Sequence, residues 1–186
     1  ARRQRQMCIR DRYEHQGKLP VWHLRGNETN TMPGYSGIPV VIDAALKGFD
    51  NIDLEKVYEA AKVSATGDFE PGVKDLMELG YIPADYMVES VASSMEYAIG
   101  DWGVAQLAKK LGKMEDYKYF LDRSKAYKQY FDEETRFMRG KLSDGSWRTP
   151  FDPVSAQHRI NDYCEGNAWQ YLWLVPQAVS YTHLTL

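Results

Sequence analysis

The sequence predicts an all-α fold of paired helices, interrupted by a small β-hairpin or long ordered loop near residues 132–162. Apolar residues recur at steps of three and four along most of the chain, and glycine-containing turns separate the periodic segments. With 186 residues, the chain is long enough for one domain with a core. Helix pairs separated by long loops favour a partial α/α toroid over a bundle, although periodicity alone does not decide between them.

The first two predicted helices form a hairpin. Apolar residues within 38–49 share one helical face, and Gly48 ends this helix. Asp53 is the expected N-cap of the next helix, LEKVYEAAKVSA. Residues 67–86 contain three glycines and two prolines, which predict a connection with one short helix at 73–79.

The longest predicted helix runs from about Glu89 to Leu111, and another covers residues 114–131. Gly100 and Gly103 lie inside the longest helix and cost about 1 kcal/mol each relative to alanine, so we expect close neighbours there. A DG turn then predicts the hairpin or ordered loop, and helical patterning resumes in CEGNAWQYLWLV.

Composition excludes several classes of protein. The net charge is −3, which gives no electrostatic support for a nucleic-acid or anionic-membrane partner. No apolar run reaches the ~18 residues of a membrane-spanning helix. Cys8 and Cys164 form neither a disulfide framework nor a zinc motif. The chain is rich in aromatic residues, with five Trp, 13 Tyr and six Phe, and such rings pack cores and also stack on sugars.

Polar residues precede the first helix in LPVWHLRGNETNTMPGY, residues 19–35. Asn27 and Glu28 at its centre either line a pocket at the helix N-terminus or form a capping network for that helix. Further along the chain, Glu96 and Asp101 are five residues apart on the longest helix, and we expect them to be solvated.

The segment SDGSWRTPFDP has two interpretations. It is either a turn with a packed Trp147 or, with Arg148 and Asp152, one wall of a sugar site.

Glu165 lies in DYCEGNAWQY, surrounded by indoles, a phenol and two amides. A carboxyl group packed between indole rings loses hydration, which favours its neutral form and suits a general acid. A glutamate at a helix N-terminus is also stabilised by the helix dipole. The two interpretations are equally good on spacing alone.

Four segments together resemble the catalytic domain of glycoside hydrolase family 92, the calcium-dependent exo-acting α-mannosidases. They are LPVWHLRGNETNTMPGY, GYIPADYMVESVASSMEYAIGDWGVAQLAKKLGK, FMRGKLSDGSWRTPFDP and DYCEGNAWQYLWLVPQ, in the family's order. The resemblance implies an α/α-toroid domain at residues 13–178. The aperiodic ends, residues 1–12 and 179–186, are expected to be non-native tails.

This resemblance implies hydrolysis of terminal α-linked mannose with inversion, and Glu165 as the general acid. The substrate-binding candidates are Asn27, Glu28, Asn167, Trp169 and Gln170. The catalytic base and the main Ca²⁺ ligands belong to family motifs beyond this chain, so the metal ligands stay unassigned. We expect the isolated chain to be an inactive fragment that lacks flanking regions of its parent protein.

The expected partner is a mannose-containing glycan, and the family's usual substrates imply an extracytoplasmic location. Two alternatives stay open at this point. One is another α/α-toroid glycosidase that acts on glucosidic bonds. The other is a non-catalytic helical carbohydrate-binding module whose aromatic residues only stack and pack.

Overall fold

The computed structural model describes residues 11–178, and helices dominate it. Residues 11–16 are helical. The further helices are α1 (Gly37–Leu46), α2 (Leu54–Thr66), α3 (Val73–Leu79), α4 (Ser90–Lys110), α5 (Met114–Arg123) and α6 (Ala168–Tyr171), with a 3-10 helix at Ala126–Gln129. The predicted all-α class is confirmed. None of the helices described is long and apolar enough to span a bilayer.

Two short antiparallel hairpins complete the secondary structure of the described residues. Strands β1 (His23–Leu24) and β2 (Asn27–Glu28) pair His23 with Glu28. Strands β3 (Phe131–Asp132) and β4 (Phe137–Met138) pair Phe131 with Met138, and an isolated bridge joins Lys141 to Trp147. A hairpin near 132–162 was predicted, whereas the first hairpin was not.

The expected tails lie mostly outside the described residues, which begin at residue 11 and end at residue 178. Asp11 and Arg12, the last two residues of the first expected tail, are helical.

Helix α4 is the element around which the others pack. Its C-terminal half lies in one apolar core with α1, α2 and α5, and its N-terminal half lies in a second core with β4 and the segment around α6. The α4 residues that are fully enclosed in the two cores include Val91, Ala92, Met95, Ala98, Val104, Ala105, Leu107 and Ala108. One helix therefore positions both sequence segments that carry the candidate site.

Two predicted helices are shorter than the periodicity suggested. The helix predicted over 114–131 ends at Arg123, and a 3-10 helix follows. Ser124 Oγ donates to the Leu121 carbonyl at 2.7 Å, a local bond that competes with helix continuation. The helix predicted in 164–175 is confined to Ala168–Tyr171.

A buried ion pair joins α4 to α5. Asp101 is fully buried and accepts from Arg123 Nε at 2.6 Å and Nη2 at 2.5 Å. Arg123 Nη2 also donates to the Ala65 carbonyl at 2.7 Å, and Tyr35 Oη donates to Asp101 at 3.2 Å. Breaking such a pair would leave an uncompensated buried charge at a cost of about 3–5 kcal/mol.

The two glycines of α4 have different neighbours, and this yields a paired prediction. A Cβ at Gly100 would lie 2.8 Å from the Tyr35 ring, whereas a Cβ at Gly103 would meet Ile42 at 3.5 Å, an ordinary contact. Tyr35 has no freedom to move, since it is stacked on Tyr97 with 4.3 Å between ring centroids.

We expect Gly100→Ala to lower the melting temperature of the full-length protein. Gly103→Ala should leave it unchanged or raise it, because alanine is favoured by about 1 kcal/mol in a helix interior. Thermal unfolding of the two variants beside the parent checks this, and equal effects would contradict the packing described at Gly100.

Candidate active site

The segment DYCEGNAWQY forms a loop at residues 162–167 that leads into α6. Glu165 lies in this loop with an exposed side chain and a left-handed backbone, φ 48°. At the next position, a Cβ at Gly166 would lie 2.9 Å from Gln170 Oε1, so a side chain there would displace the Gln170 amide. The loop thus presents the Glu165 carboxylate to solvent.

Indole rings do not enclose Glu165, contrary to the sequence-based expectation. Trp169 and Trp173 are 54% and 47% exposed, and the Trp169 ring packs edge-on against Phe137 at 4.8 Å between centroids. The short α6 places Trp169 against Phe137 of the second hairpin. The described residues therefore do not show the predicted desolvation of Glu165. Its role as the acid stays a prediction.

Asn167 and Gln170 cap α6. The Asn167 side chain accepts from the Gln170 backbone N–H at 3.4 Å, and Gln170 Oε1 accepts from the Asn167 backbone N–H at 3.0 Å. This reciprocal capping box was readable in the spacing of the two residues. It engages both amides locally, and substrate contacts by Asn167, Gln170 or the exposed Trp169 remain predictions.

Tyr171 holds the Glu165 loop in place through hydrogen bonds to the backbone of Cys164. Its hydroxyl donates to the Cys164 carbonyl at 2.8 Å and accepts from the Cys164 backbone N–H at 3.2 Å. Burial raises the pKa of Tyr171, and the nearby groups of Cys164, Glu96 and Glu89 raise it further. The phenol therefore stays protonated and holds the residue that precedes Glu165.

Glu28 organises the first hairpin. Its carboxylate accepts four backbone N–H groups at 2.7–2.9 Å; the donors are Val21, Trp22, Thr29 and Asn30. Burial works to raise the pKa of Glu28, but these hydrogen bonds lower it overall. This is a capping network of the hairpin rather than of α1. Asn27 is exposed opposite Leu24, and substrate roles for Glu28 and Asn27 remain predictions.

The expectation that Glu96 and Asp101 are solvated was wrong. Asp101 is 0% exposed in its ion pair, and Glu96 is partly buried. A helix enclosed on most sides leaves little solvent for a carboxylate, and the small residues around Glu96, in ASSMEYAIG, were the sequence signal for that enclosure.

Glu96 belongs to the second of the four recognised segments and lies close to residues of the first and the last, Gly34 and Tyr171. A Cβ at Gly34 would lie 2.6 Å from Glu96 Cβ, and Glu96 is close enough to Tyr171 to raise its pKa. Within residues 11–178 the Glu96 carboxylate has no hydrogen bond or ion pair, and burial raises its pKa. Sequence reasoning singled out Glu96 but expected it to be solvated, and did not predict a partly buried carboxyl group without a partner.

The turn at residues 141–148, which follows the second hairpin, is tied to the Glu165 loop. Arg148 Nη1 donates to Asp162 Oδ1 at 2.9 Å, so the arginine is engaged by the segment that carries Glu165. Trp147 is half-buried with the Arg139 guanidinium 5.8 Å from its ring, and Asp152 caps a turn at Val154. These contacts favour the interpretation as a turn with a packed Trp147.

The described residues do not offer a calcium cage. Among them, one group of three carboxylate, imidazole or thiol side chains converges closely enough for a metal, and it consists of Glu89, His158 and Cys164. Calcium prefers oxygen ligands in a set of six to eight. A thiol and an imidazole do not fit that preference.

Paired helices that carry an exposed carboxylate on a loop beside exposed indole rings are the elements of a helical glycosidase domain. The sequence model of the glycosyl hydrolase family 92 catalytic domain matches residues 2–182, and this chain belongs to that family.

Solved structures of Bacteroides thetaiotaomicron proteins are similar to the chain. One is a family GH92 α-mannosidase in complex with mannoimidazole, 40% identical, with a TM-score of 0.83 over 90% of this chain and 24% of that one. Another is an inverting mannosidase of the same family, 28% identical, with a TM-score of 0.82 over 90% of this chain and 23% of that one. The likeness confirms the predicted α/α toroid, of which this chain is a part.

A curated relative from Arthroderma benhamiae is an uncharacterised secreted glycosidase, 35% identical over 93% of this chain and 27% of its own length. The chain thus spans about a quarter of the length of the relatives it matches.

Burial of Glu96 predicts a pH-dependent stability. Its pKa is raised above the ordinary 4.5, so the folded state holds the proton more tightly than the unfolded chain. That stabilisation is present below pH 4.5 and is lost as the pH rises through the raised value. Glu96→Gln should therefore raise the melting temperature of the full-length protein at neutral pH, with a gain that shrinks toward pH 4.

The matched control is Glu78→Gln, at an exposed glutamate of α3, which should show no such trend. Thermal unfolding across this pH range checks both variants. A lower melting temperature for Glu96→Gln at neutral pH would show that the charged form is stabilised in the full-length protein.

Proposed function

We propose that the full-length protein hydrolyses terminal α-mannosidic bonds of glycans with inversion, and that Glu165 is its general acid. The chief support is the 40% identity to the family GH92 α-mannosidase in complex with mannoimidazole, over nine-tenths of this chain. Family membership carries the coarser assignment, a glycoside hydrolase. Inversion is supported by the likeness to the inverting mannosidase.

Glu165 is the residue of this chain best placed to protonate a leaving oxygen. It is exposed, and Tyr171 holds the preceding residue, Cys164, by hydrogen bonds. The loop is also tied to Arg148 through Asp162. In the proposed step the Glu165 proton passes to the departing glycosidic oxygen while water attacks the anomeric carbon from the opposite face. A second carboxylate, supplied by another part of the protein, takes the proton of that water.

A short separation of the two carboxyl groups would favour retention, so the base of an inverting enzyme must lie about 6.5–9.5 Å away to admit a water. We therefore propose that the base belongs to the rest of the full-length protein. The isolated chain, which carries the acid alone, should be inactive.

Calcium is proposed for the full-length protein, with its ligands outside this chain because the described residues do not fit it. The cation would supply a positive charge for the sugar hydroxyls. An extracytoplasmic location is proposed from the glycan substrate and is consistent with the secreted fungal relative.

Replacement of the acid should depend on the leaving group. We expect Glu165→Gln to reduce kcat of the full-length enzyme about 10²–10⁴-fold on α-mannosides with poor leaving groups, the usual contribution of a general acid. An activated aryl α-mannoside needs less protonation and should lose much less. Equal losses on both substrates would rule out the acid role.

Glu133→Gln, at an exposed glutamate of the second hairpin, serves as the matched control and should retain full activity. The 186-residue chain alone should give no turnover in the same assay.

Removal of metal tests the proposed calcium. We expect EDTA to abolish activity of the full-length enzyme and Ca²⁺ to restore it, whereas Zn²⁺ should not, since a hard cation with oxygen ligands is required. Turnover measured after chelation and after each addition checks this. Full activity in EDTA would contradict the calcium proposal.

A further inference from the structure

Three residues of different metal-ligating types converge beside the Glu165 loop. Glu89 lies at the N-terminus of α4, whereas His158 and Cys164 come from the segment that precedes Glu165. One potential ligand atom from each residue lies within 4.8 Å of the others, and His158 Nδ1 is 3.3 Å from Glu89 Oε1. No sequence motif announces this group, because Glu89 is far from the other two along the chain.

The backbone around the first ligand is well fixed. Glu89 adopts a left-handed conformation, φ 56°, and its N–H donates to the Asn161 carbonyl at 2.9 Å. Its Oε1 accepts from the Arg159 backbone N–H at 3.0 Å. The next turn of α4 is also attached to this segment, since Ala92 N–H donates to the Asp162 carbonyl at 3.1 Å. The carboxylate is therefore held against the segment that carries the other two ligands.

The third ligand is fixed by Tyr171, whose hydroxyl bonds both the N–H and the carbonyl of Cys164. The Cys164 sulfur lies within 4.8 Å of a Glu89 carboxylate oxygen. Burial raises the pKa of the Cys164 thiol to about 11, and the charges of Glu89 and Glu165 add to this effect.

The three potential ligands differ in their exposure to solvent. The Cys164 residue is 7% exposed, and the side chains of Glu89 and His158 are 15% and 48% exposed. An ion can thus enter from the His158 side, and a water molecule can complete its coordination there. Three protein ligands with one open position are an arrangement that zinc adopts in proteins.

We propose that Glu89, His158 and Cys164 bind a divalent cation of intermediate softness, with Zn²⁺ as the physiological candidate. The thiolate and imidazole select against Ca²⁺ and Mg²⁺, and the mixed S, N, O set suits Zn²⁺ or its analogue Cd²⁺. When the cation binds, the S–H bond of Cys164 breaks, its proton passes to solvent, and the sulfur forms a bond to the cation. The site is distinct from the proposed calcium site, whose ligands lie elsewhere.

A cation bound at this site would also affect the neighbouring residue, Glu165. Cys164 precedes Glu165 directly, so a cation that joins the end of α4 to residues 158–164 also restrains the loop that presents the Glu165 carboxylate. This consequence for activity rests on the proposed function. The binding of the cation does not.

The test is a titration of the full-length protein with Cd²⁺, after chelation, dialysis and saturation with Ca²⁺. We expect a cadmium–thiolate charge-transfer band in the ultraviolet that saturates at one equivalent, and Zn²⁺ should displace Cd²⁺ and remove the band. Cys164→Ser should abolish the band. His158→Ala should weaken Cd²⁺ binding by more than about tenfold. Even residues that only hydrogen-bond to a metal ligand contribute about that much to metal affinity.

Two matched controls separate this site from adventitious binding. His15→Ala removes an exposed histidine of the helical residues 11–16, Glu133→Gln removes an exposed carboxylate, and both should leave the titration unchanged. His158 is exposed, so its replacement tests the site even if Cys164→Ser folds poorly.

Any one of three results would overturn the proposal: no band in the folded parent, a full band in Cys164→Ser, or unchanged Cd²⁺ affinity in His158→Ala. The three side chains would then form only a hydrogen-bonded network. Because the readout is metal binding rather than turnover, a failure of the mannosidase proposal would leave this result unaffected.

Discussion

The structure depends on a central helix that is enclosed along most of its length and still contains charged residues. Asp101 lies fully buried on α4, and this is tolerable because Arg123 forms two hydrogen bonds with its carboxylate and Tyr35 contributes a third. The same guanidinium binds the Ala65 carbonyl at the end of α2, so three helices meet at one charge pair. With α4 fixed in this way, its N-terminal half provides a rigid surface for the segments of the candidate site. A buried pair adds little net stability, but it fixes the orientation of the helices that share it.

The Glu165 loop is positioned by hydrogen bonds rather than by regular structure. Tyr171 holds Cys164, Arg148 holds Asp162, and the N-terminus of α4 binds the carbonyls of residues 161 and 162. Left-handed backbone at Glu89, Arg159 and Glu165 is unfavourable for residues with a side chain, and persists where surrounding contacts impose it. Such a loop can present a carboxylate in one fixed place without burying it. The same contacts bring the three potential ligands of the proposed metal site together.

Local patterns predicted the helices well. They failed where contacts between residues far apart in the sequence determine whether a side chain is buried and paired. Asp53 caps α2 as expected, because an N-cap depends only on its own turn. By contrast, the solvated state expected for Asp101 was wrong, since the partner that permits its burial lies 22 residues away on another helix. A capping network of the following helix was one of two interpretations for Glu28, yet the network it forms belongs to a hairpin, which periodicity does not detect in strands of two residues. The recognised motifs supplied the candidate residues, which stay predictions, whereas the partial burial of Glu96 without a partner became visible only in three dimensions.

The exposure of Glu165 constrains the proposed mechanism. Solvent favours the charged form of a carboxyl group, whereas a general acid must hold a proton when the substrate arrives. The described residues leave Glu165 exposed, so the proposed mechanism requires that the sugar and other parts of the full-length protein exclude water from it. The chain covers about a quarter of the length of its mannosidase relatives. Glu96 illustrates the required effect, since partial burial without a partner already raises its pKa. In the proposed enzyme, the regions that supply the base would therefore also supply the enclosure that makes Glu165 an acid.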